Sequence, residues 1–369
     1  MCFLLLFLMF TGGAFSRTFT DNQGRTIEAE IIGVTAEKVS FKLQNGKELS
    51  VPILQLSAED QTFVREWKKT ADSPEKTEAA EMTAAENATP GTPTEPWDYE
   101  AKAADSSVEI AKFRVWLPDE KRPVRGMLVL TPGLNGDGRA QVENKVWQDL
   151  ARELNFGIIA SFFKGGSYCF AQKGTGDALL EALKKFAKAK DHPEVEKAPL
   201  LLWGHSAGGQ FNYNFACWKP ERTIGFVVNK GGYYYDTRAR ANTQDVPALI
   251  FLGTTDKEVR VKNLTELFEK YRPRGALWAL CPEEGQGHGI GNSLKTALVF
   301  FRSLAKLRLP PESALSGSDK LIRLDPASGW LGDLKSKEIA PANKFTGNVK
   351  DAAWLPDEAT AQAWKDALN

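Results

Sequence analysis

The chain has 369 residues, of which 42% are hydrophobic, and its 47 Lys and Arg balance 47 Asp and Glu. That length suits two folded units with connectors and a sizeable core. The zero net charge excludes the basic face of a nucleic-acid binder and an acidic tail aimed at a basic partner.

Residues 1–16 read as a secretory signal peptide: "CFLLLFLMF" is followed by "TGGAFS", which puts Ala14 and Ser16 before a cleavage site. The apolar run is too short for a stable membrane span, which needs about 20 residues, and no Lys or Arg precedes it. The expectation is export to the periplasm or beyond. Cleavage removes Cys2 and leaves Cys169, Cys217 and Cys281, an odd set that forms one bridge at most, not chosen by the sequence.

Residues 17–68 predict a small β unit. Ile27, Ala29 and Ile31 alternate with Thr26, Glu28 and Glu30, and Val39, Phe41 and Leu43 alternate with Lys38, Ser40 and Lys42. Period-two patterning marks strands with one buried face. Asn45-Gly46 suits a tight hairpin, "KELSVP" supplies the return strand, and Ser57 with Asp60 suits a capped helix start. The stretches "RTFTDNQGRTIEAEIIGV", "VSFKLQNGKELSVP" and "LSAEDQTFV" resemble the first homology domain of the Sla endocytic adaptor family, an SH3-like barrel. Similar domains recur in exported proteins of Planctomycetes and related bacteria. The resemblance implies a peptide or protein ligand as partner; a structural spacer is the competing reading.

Residues 69–96 are rich in Ala, Thr, Glu and Pro and nearly free of large apolar side chains, a linker composition. From there to residue 309, apolar strands alternate with amphipathic helices. "VEIAKFRVWLP", "GMLVLTPG", "GIIASFF", "PLLLW", "IGFVVNKG", "PALIFLG" and "ALWALCP" read as strands. "QVENKVWQDLARELNF" predicts a helix with Val142, Val146, Leu150 and Leu154 on one face, and "DALLEALKKFAKA", "AGGQFNYNFACW", "VKNLTELFEKY" and "NSLKTALVFFRSLAKL" predict four more. The fold class is therefore α/β, a mostly parallel sheet with helices on both faces, preceded by the small all-β barrel. Residues 310–369, with Trp330, Trp354 and Trp364, are expected to pack on that domain rather than to bind sugar.

The chemistry centres on "LLLWGHSAGGQF". A Gly-x-Ser-x-Gly alone is weak, but here an apolar strand runs into Gly204-His205-Ser206-Ala207-Gly208 and a helix follows at once. That context makes Ser206 a strained turn nucleophile beside free helix amides. A serine needs a base, and the chain has three histidines. His192 lies ahead of the strand in an apparent surface loop, and His205 fills the variable position and points away. His288 remains, between a strand and the last helix. For the carboxylate that orients it, Asp256 follows the strand "ALIFLG"; Asp236 is the runner-up, and Glu283 and Glu284 are weaker.

The order Ser206, Asp256, His288 resembles the α/β-hydrolase family over about residues 107–307. That resemblance implies an oxyanion hole from the backbone amides of Leu134, in "TPGLNGDG", and Ala207, with Asn135 as an alternative donor. The short segment "GYYYDTRARANTQD" leaves no room for a large lid, so the outline is closest to dienelactone-hydrolase-like, feruloyl-esterase-like or polyhydroxyalkanoate-depolymerase-like members. Asn135, Tyr168, Tyr233 and Tyr234 are candidate pocket residues, with core packing as the competing reading for the tyrosines. No His/Cys/Asp cluster has metal-ligand spacing, so neither metal nor cofactor is expected. The expected activity is hydrolysis of small-molecule or polymer-linked carboxylic esters through an acyl-serine. A peptidase of the same fold, and a non-catalytic binding protein acting through the barrel, are the alternatives.

Overall fold

The structure, a computed structural model, describes residues 17–23, 25–35, 37–43, 47–57, 60–64, 91–102, 108–166, 168–232, 238–310 and 321–368. The signal peptide, the Asn45-Gly46 turn and most of the linker fall outside them. The chain divides into two compact units, Met1–Thr89 and Pro90–Asn369. No described helix is long and apolar enough to cross a membrane.

In the first unit β1 (Arg17–Thr20), β2 (Thr26–Val34), β3 (Lys38–Leu43) and β4 (Glu48–Pro52) form an antiparallel sheet in chain order. The alternating apolar residues face one core of Phe19, Ala29, Ile31, Val39 and Phe41, closed by Ile53, Leu56 and Val64. Asp60 accepts from Thr20 N–H at 2.8 Å and from the Ser57 hydroxyl at 3.1 Å, while Ser57 Oγ accepts from Asp60 N–H. This reciprocal cap ties the helix start to the first strand.

The second unit is built on an eight-stranded sheet. Its strands are β5 (Trp97–Glu100), β6 (Val108–Trp116), β7 (Gly126–Thr131), β8 (Phe156–Gly165), β9 (Leu200–His205), β10 (Thr223–Asn229), β11 (Ala248–Gly253) and β12 (Trp278–Glu283). Their spatial order is β12-β11-β10-β9-β7-β8-β6-β5. β6 runs antiparallel to both of its neighbours, and the six strands from β8 to β12 are parallel. This is the strand order of the α/β-hydrolase fold. Fully buried strands such as Gly126–Thr131 and Ala248–Gly253 read as continuous apolar runs because both faces are covered.

On one face lie α2 (Thr175–Lys190), α3 (Ala207–Trp218) and α5 (Glu258–Tyr271), which pack Leu179, Leu183, Phe186, Phe211, Phe215, Leu264 and Phe268 against Val129, Ile159 and Leu202. On the other lie α1 (Lys145–Leu154) and α6 (Ser293–Arg308), with Trp147, Leu150, Phe300, Phe301 and Leu304 against Leu128, Leu130, Leu201 and Val227. A short α4 (Ala241–Gln244) precedes β11.

Of the expected face of α1, Val142 and Leu150 are buried and Leu154 packs against the same core, while Val146 turns outward. Asn144 caps α1 by accepting from Val146 N–H at 2.9 Å, so the helix begins at Lys145 and Val142 belongs to the preceding 3-10 turn. The inward stripe is then Trp147, Leu150 and Ala151, and Val146 is exposed. His192, expected on a solvated loop, is only 4% exposed. Its Nδ1 lies 2.9 Å from Glu194 Oε1 and its Nε2 2.9 Å from Glu120 O, partners that make burial tolerable.

Beyond α6, β13 (Trp330–Gly332), β14 (Ile339–Pro341) and β15 (Ala353–Leu355) form a small antiparallel sheet, followed by α7 (Glu358–Ala367). Trp354 and Trp364 are buried core residues. The Trp364 indole N–H donates to Leu280 O at 2.7 Å, and Arg272 Nε donates to Ala352 O at 2.6 Å. This segment thereby fastens onto β12, the edge strand of the main sheet.

Candidate active site

Ser206 stands between β9 and α3 with φ 55° and ψ −121°. A side chain in this left-handed region is strained, and close packing enforces it. A Cβ on Gly204 would come within 2.4 Å of the Gly208 carbonyl, and one on Gly208 within 2.2 Å of Thr131 O. Only glycines let strand, helix and the turn after β7 meet this closely. Ser206 N–H donates to Asn229 O at 2.7 Å, which ties the elbow to the end of β10.

The ends of β9, β11 and β12 bring Ser206, Asp256 and His288 together. His288 Nε2 is 2.9 Å from Ser206 Oγ, and His288 Nδ1 is 2.7 Å from Asp256 Oδ2. Asp256 Oδ1 accepts from Lys257 N–H at 2.7 Å and from Arg260 Nη1 at 2.8 Å. Burial of this carboxyl, whose side chain is 4% exposed, raises its pKa. The hydrogen bonds from His288, Lys257 and Arg260 outweigh that and hold it below the usual carboxylate range. An ionised carboxylate only accepts, so the neutral imidazole carries its proton on Nδ1 and the Ser206 hydroxyl donates to Nε2.

The loop after β7 passes beside the serine: a Cβ added to Gly133 would lie 3.6 Å from Ser206 Cβ. Among the described residues, neither the Leu134 nor the Ala207 N–H has an intramolecular acceptor. Ala207 opens α3, where the helix dipole favours negative charge. The Leu134 side chain is 63% exposed. Asn135 has φ 57°, and its Oδ1 accepts from Gly165 N–H at 3.2 Å, so its side chain braces the end of β8.

Tyr168 is a correction to the expected pocket. It is 1% exposed and packs on Phe163, and its hydroxyl donates to Pro132 O at 3.0 Å. Burial pushes its pKa up, so it stays a neutral donor that supports the turn before Leu134. Tyr233, Tyr234 and the runner-up Asp236 lie outside the described residues. Glu283 points to a different partner, the buried Lys230, and Glu284 is exposed. Cys169, Cys217 and Cys281 are free thiols.

Four contributors escaped the sequence reading. Arg260 and Lys257 flank Asp256 as described. Lys230, with φ 56° and Nζ on Glu283, and Asn229 stand directly under the histidine loop. His205 faces the same loop: its Nε2–H donates to His288 O at 2.7 Å, and burial lowers its pKa, which keeps it neutral. The sole local signal is positional: Asn229 ends, and Lys230 follows, a strand adjacent to the nucleophile strand.

Residues 14–71 match the family model for SLA1 homology domain 1, SHD1, so the N-terminal unit carries that domain. Similar solved structures include LpqC, a poly(3-hydroxybutyrate) depolymerase from Bordetella parapertussis, at 16% identity and TM-score 0.42, over 59% of this chain and 91% of that one. An S-formylglutathione hydrolase from Agrobacterium tumefaciens is similar at 14% identity and TM-score 0.42, over 57% of this chain and 94% of that one. A ferulic acid esterase is similar at 12% identity and TM-score 0.42, over 58% and 98%. No curated protein matches the chain.

Proposed function

We propose that the second unit is a serine hydrolase of carboxylic esters, exported through residues 1–16. The observation that carries this reading is the hydrogen-bonded series Asp256, His288, Ser206 beyond the ends of β11, β12 and β9 of one sheet, with the serine on a strained elbow. His288 Nε2 takes the hydroxyl proton as Ser206 Oγ attacks the ester carbonyl carbon, and Asp256 steadies the imidazolium. The oxyanion that forms lies at the Leu134 and Ala207 amides. The imidazolium then gives its proton to the departing alcohol, leaving an acyl-serine. Water, deprotonated by the same nitrogen, releases the acid.

A fluorophosphonate probe tests the reading directly. The intact protein is expected to label once, at Ser206, and Ser206→Ala is expected to remain unlabelled. An intact protein that stays unlabelled where known serine hydrolases react overturns the proposal. A panel of p-nitrophenyl, feruloyl and acetyl-sugar esters beside peptides then separates ester from amide cleavage, and a cell-fractionation blot tests export.

A further inference from the structure

Three consecutive carbonyls of the histidine loop are each held by a different side chain from the ends of β9 and β10. His205 Nε2 donates to His288 O at 2.7 Å, Lys230 Nζ to Gly289 O at 2.7 Å, and Asn229 Nδ2 to Ile290 O at 3.0 Å. Lys230 Nζ also donates to Glu283 Oε2 at 2.5 Å, and Glu283 Oε1 accepts from Asn292 N–H. The two charged side chains are 0% and 1% exposed. Gly291, at φ 61°, lies so close to this carboxylate that an added Cβ would fall 2.4 Å from Oε2.

The loop they grip is "EGQGHGIGN", with glycine at 285, 287, 289 and 291. Glycine loses more backbone freedom on ordering than any other residue, so such a loop has little tendency of its own to hold one shape. Its first half is fixed from β11: Thr255 N–H donates to Gln286 O at 3.0 Å, and Thr254 Oγ1 accepts from Gly285 N–H at 2.9 Å. Its second half, which begins with His288, rests on the side chains of His205, Lys230, Asn229 and Glu283. An apolar pair of similar volume would serve stability about as well as a buried ion pair, because desolvating two charges offsets their attraction. The buried charges here instead have their remaining hydrogen bonds directed at the backbone around His288.

We propose that Lys230, paired with Glu283 and flanked by His205 and Asn229, is a positioning residue that sets the reach of His288 toward Ser206. The catalytic part of its test rests on the ester-hydrolase reading; the order of the loop does not. A donor that fixes the backbone one residue from the imidazole controls where Nε2 stands, and displacement of a reacting group by about 1 Å costs on the order of 100-fold in rate.

The test uses the full chain and two variants. Lys230→Met/Glu283→Met removes both ions together, so no lone buried charge remains; His205→Ala removes a half-buried donor without stranding a charge. Three measurements apply to each: hydrogen exchange over 284–292, thermal midpoint, and kcat and KM on p-nitrophenyl butyrate per site titrated with fluorophosphonate. The double variant is expected to exchange about tenfold faster in this segment while the rest of the chain stays protected. Its kcat per titrated site is expected to fall about 10- to 100-fold with KM within about twofold. His205→Ala is expected to lose less of both. A folded double variant with parental loop exchange and parental kcat per site overturns the proposal. Should that variant fail to fold, His205→Ala decides by the same two readouts, and parental values there overturn it. If the parent itself does not label, the ester-hydrolase reading falls, and the exchange comparison still decides the loop's control by Lys230.

Discussion

Replacing Asp256 with asparagine tests the proton path at its least forgiving point. Lys257 N–H and Arg260 Nη1 both donate to Oδ1, at 2.7 and 2.8 Å. The amide oxygen of Asp256→Asn therefore takes that position, and the NH2 group falls where Oδ2 stood, 2.7 Å from His288 Nδ1. Two donors cannot share that contact, so His288 must accept there and carry its proton on Nε2. Nε2 then meets Ser206 Oγ as a donor and cannot take the hydroxyl proton. Inverting the tautomer in this way costs about 10,000-fold in kcat, or about 5.5 kcal/mol at 1.36 kcal/mol per decade. Fold stability falls by about 1 to 3 kcal/mol, since the buried carboxylate gives up its charge-assisted bonds while the amide oxygen still accepts from Lys257 and Arg260. The assay is steady-state hydrolysis of p-nitrophenyl acetate at pH 7.5 beside the fluorophosphonate labelling rate and the thermal midpoint. A drop in kcat of less than tenfold in a folded variant would refute the assignment of Asp256 as the group that fixes the imidazole.

Gly208→Ala drives a methyl to 2.2 Å from Thr131 O, a backbone atom that cannot turn aside, and is expected to destabilise the second unit by about 3 kcal/mol or more in urea titration. A loss under about 1 kcal/mol would mean that α3 can shift freely. Tyr168→Phe removes the donor to Pro132 O; a stability loss of about 1 kcal/mol is expected, together with a kcat several-fold lower at constant KM as the turn bearing Leu134 loosens. Unchanged kcat would dismiss Tyr168 as a support of that turn. Acid stability of the second unit draws on aspartates held low, among them Asp98, Asp137 and Asp256. Asp98 is lowered first by the Arg114 hydrogen bond and Asp137 first by that of Arg139, while Asp256 is lowered despite burial. A carboxyl with a folded value below its unfolded one stabilises above the unfolded value and loses that contribution as pH falls through the folded one. The thermal midpoint is expected to hold from about pH 5 to 7 and fall below about pH 4, with a shallower fall in Asp256→Asn. Equal slopes in the two proteins would sever the link to Asp256.

The architecture was legible because its signals are local. Strands buried on both faces are written as uninterrupted apolar runs, and an elbow keeps strand, serine, glycines and helix within a dozen residues. His288 was legible by scarcity, since the chain has only three histidines. What escaped depends on contacts distant in sequence. Lys230 and Glu283 are separated by 53 positions and follow no spacing rule, so nothing local marks them as a pair. The one departure on α1's expected face is Val146: the four-residue spacing that picks out Val142, Leu150 and Leu154 drifts around the helix, and the bulkier Trp147 takes the inward place beside Leu150. The burial of Tyr168 has no local signal, because an aromatic residue in a glycine-flanked turn carries no periodicity; Phe163 and the carbonyl of Pro132 decide it.

The segment that fastens onto β12 also sets an order of events during synthesis. A chain that emerges amino end first completes Ser206, Asp256 and His288 before Trp354 and Trp364 exist. Until those residues arrive, β12 presents an open edge to any other strand in reach, and the strand leading into His288 lacks its outer support. Ribosome-bound intermediates ending near residue 320 should therefore bind chaperone along β12.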